Sequence, residues 1–539
     1  MFSRNHQQRK LLWPQNSSRI NGLWLICLAD SLMLKPSRNS CVSCALLGLL
    51  LPLFQVKAAS TPAATPIKYV VVIFDENISF DHYFGTYPNA LYPQGQPVSA
   101  QFPAGESPFS PLPATPVPNA LSSTLLNRNP NGINPFRLDR SMASTCDNSN
   151  AYKVEQQAYN LGLVNMFTLT SATGAGCPPN LSMAYYDGNT VTALWNYAQY
   201  FAMSDNFFDT EFGTTVMGHL NLVSGQTHTN TVTTIQGKVA NGSVIANVEA
   251  GPDDCVSAPA NTPVTMSSKN VGDLLNAQGI TWGWFYGDFP QSANNQPIAN
   301  CTPASGVAYN SHYDPFQYYV STSNQHHLPP SSAQAIGTSA DQANHQYALA
   351  DFWNAVQAGN MPSVVFLKAS RPQTGHPSDS TPLEEQTFLV NTINQLQQTP
   401  FWNQMAIFIT YDDSDGWYDH VMPPIVNQSN DSANDAVTGP GNCGTPEAGA
   451  YLDRCGYGTR LPLLVISPYA KQNYIDHGLA DTTSVLRFIE DNWNLGRLGD
   501  QSFDALAGSL NGLFDFANPP RPGRSLLLDA SAGTVVKAQ

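Results

Sequence analysis

The chain has 539 residues, 42% of them hydrophobic and only 12% charged, with a formal net charge of −15. So few charges exclude a coiled coil and charge-rich disorder, and a field of that sign disfavours non-specific binding to nucleic acid or an anionic membrane. What remains is a soluble globular protein with many turns, as its 41 Pro and 38 Gly suggest.

Residues 1–59 stand apart, with seven Lys/Arg and one acid. Lys35 and Arg38 precede an apolar run at 41–54, and the small residues Ala58, Ala59 and Ser60 follow it. A basic segment, a short apolar run and a small-residue exit form the pattern of a secretory signal peptide. The run is short for a membrane span. We read 1–59 as a leader, with Met33 as an alternative start and a tethering N-terminal anchor as the competing reading. The processed chain is expected to be secreted or periplasmic, without a transmembrane anchor. Six cysteines lie beyond the leader, which suggests disulfides in an exported chain; six allow 15 pairings. Sequential neighbours are the simplest guess: 146–177, 255–301 and 443–455. No CxxC pair is among them, so a thiolate zinc site is not expected.

A Thr/Pro/Ala linker (60–66) leads into the β-branched run 67–74, which reads as a buried parallel strand. Residues 88–150, rich in Pro, Asn and Ser, read as a long loop excursion. Helical patterns follow near 151–164 and 190–203. Apolar runs at 280–286, 363–368, 405–411 and 461–467 read as strands. Amphipathic stretches at 270–278, 341–359, 383–398 and 481–494 read as helices. This alternation predicts an α/β fold with a mostly parallel central sheet, helices on both faces and long loop insertions. Residues 427–458 read as an inserted surface loop. No linker divides the rest, so 67–539 is expected to be a single catalytic domain.

Two strand ends carry dense polar clusters. The first strand runs into Asp75-Glu76-Asn77-Ile78-Ser79-Phe80-Asp81-His82, and the strand at 405–411 runs into Asp412-Asp413-Ser414-Asp415 and on to Asp419-His420. Ligands in parallel α/β sheets bind beyond the carboxyl ends of strands. Several carboxylates gathered there repel one another unless a positive group sits among them. A divalent metal is the economical answer, and oxygen with imidazole ligands suits zinc or manganese.

These segments also carry a resemblance. The stretch from Ile67 to Gly85, ending Glu76-Asn-Ile-Ser-Phe-Asp-His-Tyr-Phe-Gly85, resembles the opening motif of the bacterial phosphoesterase family that contains phospholipases C and an acid phosphatase. Further matches follow in order: Glu155-Gln-Gln-Ala-Tyr-Asn160, Gly213-Thr-Thr-Val-Met-Gly-His219, His312-Tyr-Asp-Pro-Phe316, His376-Pro377, Tyr411-Asp-Asp-Ser-Asp-Gly416 with Asp419-His-Val421, and Arg460-Leu-Pro462 through Ser467-Pro468. The resemblance implies an alkaline-phosphatase-like fold. It implies Glu76 and Asn77 as one pair of metal ligands and Asp412 and Asp413 as the other. Thr215 takes the place of the hydroxyl nucleophile and further metal ligand, with zinc the preferred ion. His312 and His376 fall at positions lining the phosphate. Two departures stand out. Thr214, Met217 and Gly218 replace the usual Pro, Pro and Asn, so the nucleophile register could shift to Thr214. Asn150 replaces an expected histidine, and an amide cannot transfer a proton near pH 7.

The expected activity is that of a secreted, metal-dependent phospholipase C. It would act on phosphatidylcholine or a similar lipid at a membrane or micelle surface, through a phospho-threonine intermediate. The alternatives are a secreted acid phosphatase acting on soluble monoesters, and a binding protein that keeps the fold without catalysis. Trp282, Trp284 and Tyr286 would suit a cation–π surface for choline, although aromatic residues on a strand ordinarily belong to the core.

Overall fold

A computed structural model describes residues 62–91, 106, 109–171, 178, 180–229, 235–256, 263–518 and 523–539. Residues 1–59, expected to form a leader with a signal peptide, lie outside the described residues, and so does Cys177 of the expected 146–177 pair.

Among the described residues, the central sheet has eight strands: β1 (Tyr69–Asp75), β2 (Ala202–Ser204), β3 (Trp282–Tyr286), β4 (Gln346–Ala348), β5 (Val364–Lys368), β6 (Met405–Tyr411), β7 (Leu463–Ile466) and β8 (Tyr474–Asp476). Their order is β8-β2-β7-β6-β1-β5-β3-β4. Strand β7 pairs antiparallel with both β6 and β2, and the other pairings are parallel. Successive residues of a strand point to opposite faces. Every residue of β3, β5 and β6 is buried, so both faces are covered, and unbroken apolar runs are what such strands require.

The five strands read from the sequence are all present. The three-residue strands β2, β4 and β8 were not anticipated. The pattern at 190–203 divides into a helix, Thr192–Tyr200, and β2. The stretch at 341–359 divides into β4 and a helix, Leu349–Gln357. The helix expected to 164 ends at Tyr159, because Asn160 takes the left-handed conformation that terminates helices. Helices Val271–Ala277, Pro382–Gln397 and Thr482–Trp493 match their patterns. Capping boxes start all three, at Asn270, Thr381 and Asp481.

Disulfides join Cys255 to Cys301 and Cys443 to Cys455, as sequential pairing predicts. The 427–458 insertion is not confined to the surface: Asn427, Ser429, Val437, Asp453 and Arg454 are all buried. Trp282 and Trp284 pack on Phe316, and Trp284 also on Phe366, while all three aromatic residues of β3 singled out above have no exposed surface. They belong to the core and offer no platform for choline. Among the described residues, no helix is long and apolar enough to cross a membrane.

Candidate metal centre and active site

The two polar clusters meet because β1 and β6 pair in parallel with Asp75 opposite Tyr411. The chain then turns at Asn77, whose φ of 63° is left-handed, a conformation that Asn tolerates better than most residues. The turn lets the Asn77 amide N–H donate to Asp412 Oδ1 at 2.9 Å, and its Nδ2 donate to Asp415 Oδ1 at 3.1 Å. With its nitrogen engaged, Asn77 keeps a buried Oδ1 that has no partner. Asp412 Oδ1 also accepts from the Asp413 N–H at 2.8 Å, and Asp413 Oδ1 accepts from Asn150 Nδ2 at 2.9 Å and from the Asp415 N–H at 2.7 Å. Asn150, standing where a histidine was expected, therefore holds Asp413 in place.

Each of these side chains leaves oxygen atoms bare. Both carboxylate oxygens of Asp75, and Glu76 Oε2, Asp412 Oδ2 and Asp413 Oδ2, are buried without a hydrogen-bond donor among the described residues. Such atoms are costly to bury. The carboxyls of Asp75, Glu76 and Asp413 are pushed well above the usual range, first by burial and then by neighbouring acids, Asp412 among them. Lys368, at the carboxyl end of β5, pairs with Glu76 Oε1 and donates to the Phe74 carbonyl at 3.0 Å. Sequence reasoning read it only as the end of a strand. One ammonium beside Glu76 and Asp75, set against the four carboxyls of Asp75, Glu76, Asp412 and Asp413, leaves an excess of negative charge, and the bare oxygens fit a divalent cation.

The helix Thr215–Ser224 is seated on this cradle. Gly213 precedes it, with φ 139° and its N–H donated to Glu155 Oε2 at 3.0 Å. Glu155, pushed up to about 7 chiefly by burial, also accepts from the Ser414 hydroxyl. It thus ties the threonine loop to the Asp412-Asp413 loop. Thr214 occupies the N-cap position but makes no capping bond with its side chain, and Thr215 is the first helical residue. One turn on, His219 Nδ1 donates to the Thr215 carbonyl at 2.8 Å. The same ring lies 3.8 Å from Glu76 Oε1 and 3.8 Å from Asp412 Oδ2. Glu76, His219 and Asp412 form a buried trio able to hold a metal ion, and sequence reasoning assigned no role to His219. Between them, Gly218 lies so close to β6 that an added Cβ would sit 1.9 Å from the Asp412 carbonyl oxygen. Gly218→Ala should therefore lower the thermal midpoint, at a cost of about 1–3 kcal/mol or more. It should also reduce turnover by prising the helix from the carboxylates; wild-type values in a melting curve and a rate assay would contradict this contact.

The two predicted histidines lie on other segments, His312 in the 3-10 helix Ser311–Tyr313 and His376 in the loop that follows Arg371–Gln373. His376 follows Thr374, whose carbonyl accepts the Glu76 N–H at 3.0 Å, and its Nδ1 lies 2.6 Å from the Pro377 carbonyl. His312 is half-buried with Nε2 3.3 Å from Glu249 Oε1, and it holds the Glu249 carboxyl down to about 2. The adjacent Tyr313 ring stacks over His219 at 6.0 Å, with Lys368 4.8 Å above it. Glu249 gave no signal in the sequence, because its contact with His312 spans a loop.

Two other groups of potential ligands are already satisfied. Arg460 bonds Asp81 and Asp419, and His420 bonds Asp81 at 2.7 Å, which locks the two motif loops together. Near Asp253 and His327, Cys255 is consumed by its disulfide.

The model of the Phosphoesterase family matches residues 67–496. The chain is similar to phospholipase C A of Mycobacterium tuberculosis, 24% identical over 490 residues that cover 88% of this chain and 82% of that protein. It is similar to the non-hemolytic phospholipase C of Burkholderia pseudomallei, 26% identical over 84% of this chain and 59% of the relative. The non-hemolytic phospholipase C of Pseudomonas aeruginosa is 25% identical over 88% of this chain and 60% of the relative. Among solved structures, a protein in the alkaline phosphatase superfamily from Vibrio parahaemolyticus aligns with a TM-score of 0.28 and 11% identity, covering 57% of this chain and 63% of that one.

Proposed function

Because this chain belongs to the phosphoesterase family and is a phosphoric-ester hydrolase, we propose that it is an exported, metal-dependent phospholipase C. Its substrate is phosphatidylcholine or a similar phospholipid, cleaved to diacylglycerol and a phosphorylated headgroup. The observation that carries the metal-dependent part is the cradle of partnerless oxygens on Glu76, Asn77, Asp412 and Asp413 beneath the first turn of the Thr215 helix. A divalent cation held there, zinc by preference, would lower the pKa of a hydroxyl and offset charge on the phosphoryl oxygens. The Thr215 hydroxyl attacks phosphorus, the bond to the glycerol oxygen breaks, and the leaving alcohol takes up a proton. Water then releases the phosphorylated headgroup from threonine. The N-terminal end of the helix favours the negative charge of the phosphoryl group, and His312 or His376 supplies the proton to the leaving oxygen.

Lipid as the substrate is supported by three exposed leucines, Leu161, Leu163 and Leu169. They lie on the segment between Glu155, which holds the threonine loop, and Ser171, whose carbonyl accepts the Ser149 N–H. Soluble monoesters are favoured instead by the burial of the β3 aromatics, which leaves no choline platform there. The two readings separate on the rates with phosphatidylcholine in mixed micelles and with a soluble aryl monoester at equal metal content. Faster lipid turnover supports the phospholipase, and monoester turnover alone would make it a phosphatase. Export rests on the 35–60 pattern of the sequence, and N-terminal sequencing of protein from the medium or periplasm should start near residue 60.

A further inference from the structure

We infer that His219 is itself a metal ligand, whose imidazole gives the site a nitrogen donor and tilts it toward zinc and away from magnesium or calcium. This rests on the reading above that the carboxylate cradle holds a divalent cation.

His219 is wholly buried, and the hydrogen bond from Nδ1 fixes its tautomer. The Thr215 carbonyl can only accept, so the ring proton is on Nδ1 and Nε2 carries the lone pair. That Nε2 has no hydrogen-bond partner among the described residues. A buried imidazole that bonds a backbone carbonyl through one nitrogen and bares the other is the arrangement that orients metal-bound histidines. Glu76 Oε1, which also pairs with Lys368, lies 3.8 Å from the bare nitrogen. That is less than twice a zinc–ligand bond of about 2.0–2.1 Å, so one ion can touch both atoms. Asp412 completes the group: its Oδ2 lies 3.8 Å from Nδ1 of the same ring, and one ligand atom from each of the three residues lies within 4.8 Å of the others. A purely structural histidine accounts for less. The Phe74 edge at 4.8 Å and the Trp284 and Tyr313 rings at 6.0 Å pack the imidazole, but none of them answers the lone pair. Oxygen donors alone suit magnesium, calcium or manganese, and an added imidazole suits zinc.

The test is a chelator-competition titration of zinc and of magnesium on the purified full-length protein, its His219→Gln variant and its Asp412→Asn variant. X-ray absorption at the zinc edge of the wild type accompanies it. Gln keeps a donor for the Thr215 carbonyl and removes the ring. We expect His219→Gln to weaken zinc binding by about 100-fold or more, beyond the roughly 10–100-fold typical of losing an outer partner, while magnesium affinity moves far less. The wild-type spectrum should show the outer-shell scattering of an imidazole. If folded His219→Gln keeps wild-type zinc affinity and the wild type shows no imidazole scattering, His219 is not a ligand. A loss confined to Asp412→Asn would then leave the carboxylate cradle standing. If the wild type itself binds no zinc or magnesium, both readings fall. If His219→Gln does not fold, the wild-type spectrum decides, with imidazole scattering in favour and its absence against.

Discussion

Thr215→Ala should abolish turnover, by about 10³-fold or more, while the protein stays folded; losses of that size follow removal of a covalent nucleophile. Thr214→Ala should retain most activity. The helix start makes this comparison clean. Thr215 is the first helical residue and not the cap, and Thr214, at the cap position, makes no capping bond with its side chain. Neither alanine therefore incurs the usual loss of about 1 kcal/mol that accompanies a broken cap. Thr215→Ser keeps a hydroxyl and should keep activity. Steady-state rates, with mass spectrometry of acid-quenched enzyme to detect phospho-threonine, decide the matter. An inactive Thr214→Ala with an active Thr215→Ala would move the nucleophile by one residue. Normal turnover by both would replace the covalent route with attack by water.

Asp412→Asn should lower metal affinity and turnover together by orders of magnitude, and exhaustive chelation of the wild type should do the same. Asparagine is more informative here than alanine. Asp412 Oδ1 accepts from the N–H groups of both Asn77 and Asp413, and alanine would strand two buried donors at about 1–3 kcal/mol each. Asparagine preserves that oxygen and removes the charge, so a melting curve near that of wild type is expected alongside the lost activity. Undiminished turnover after complete chelation would contradict the metal-dependent reading.

Much of this was legible in the sequence because it is written in long apolar runs with polar ends. The runs at 67–74 and 405–411 became neighbouring strands, and the clusters that follow them converge as their position implied. Strands β2, β4 and β8, at three residues each, are too short to show a period and are recruited by the strands beside them. The reversal of β7 is equally non-local. Lys368 and His219 were overlooked although both had local signals. Lys368 ends an apolar run just as Asp75 and Asp412 follow theirs, and His219 stands four residues after Thr215, on the same face of a helix. Glu249 and the bond from Asn150 to Asp413 depend on loops meeting in space, and nothing in the spacing of the residues announces them.

Lys368 bears on the order of events in making this enzyme. Its ammonium enters the acidic nest from the adjoining strand, so the chain brings its own counterion to the place where charge repulsion is greatest. Small zinc domains have nothing comparable, and they stay unfolded until the ion arrives. Here the lysine already pairs with Glu76 and the Phe74 carbonyl within the sheet, so the strands are expected to reach their register before any ion binds. If the cradle holds the proposed ion, loading is expected to be a late and reversible event on an assembled scaffold, and ion added back to chelated protein should restore turnover without refolding.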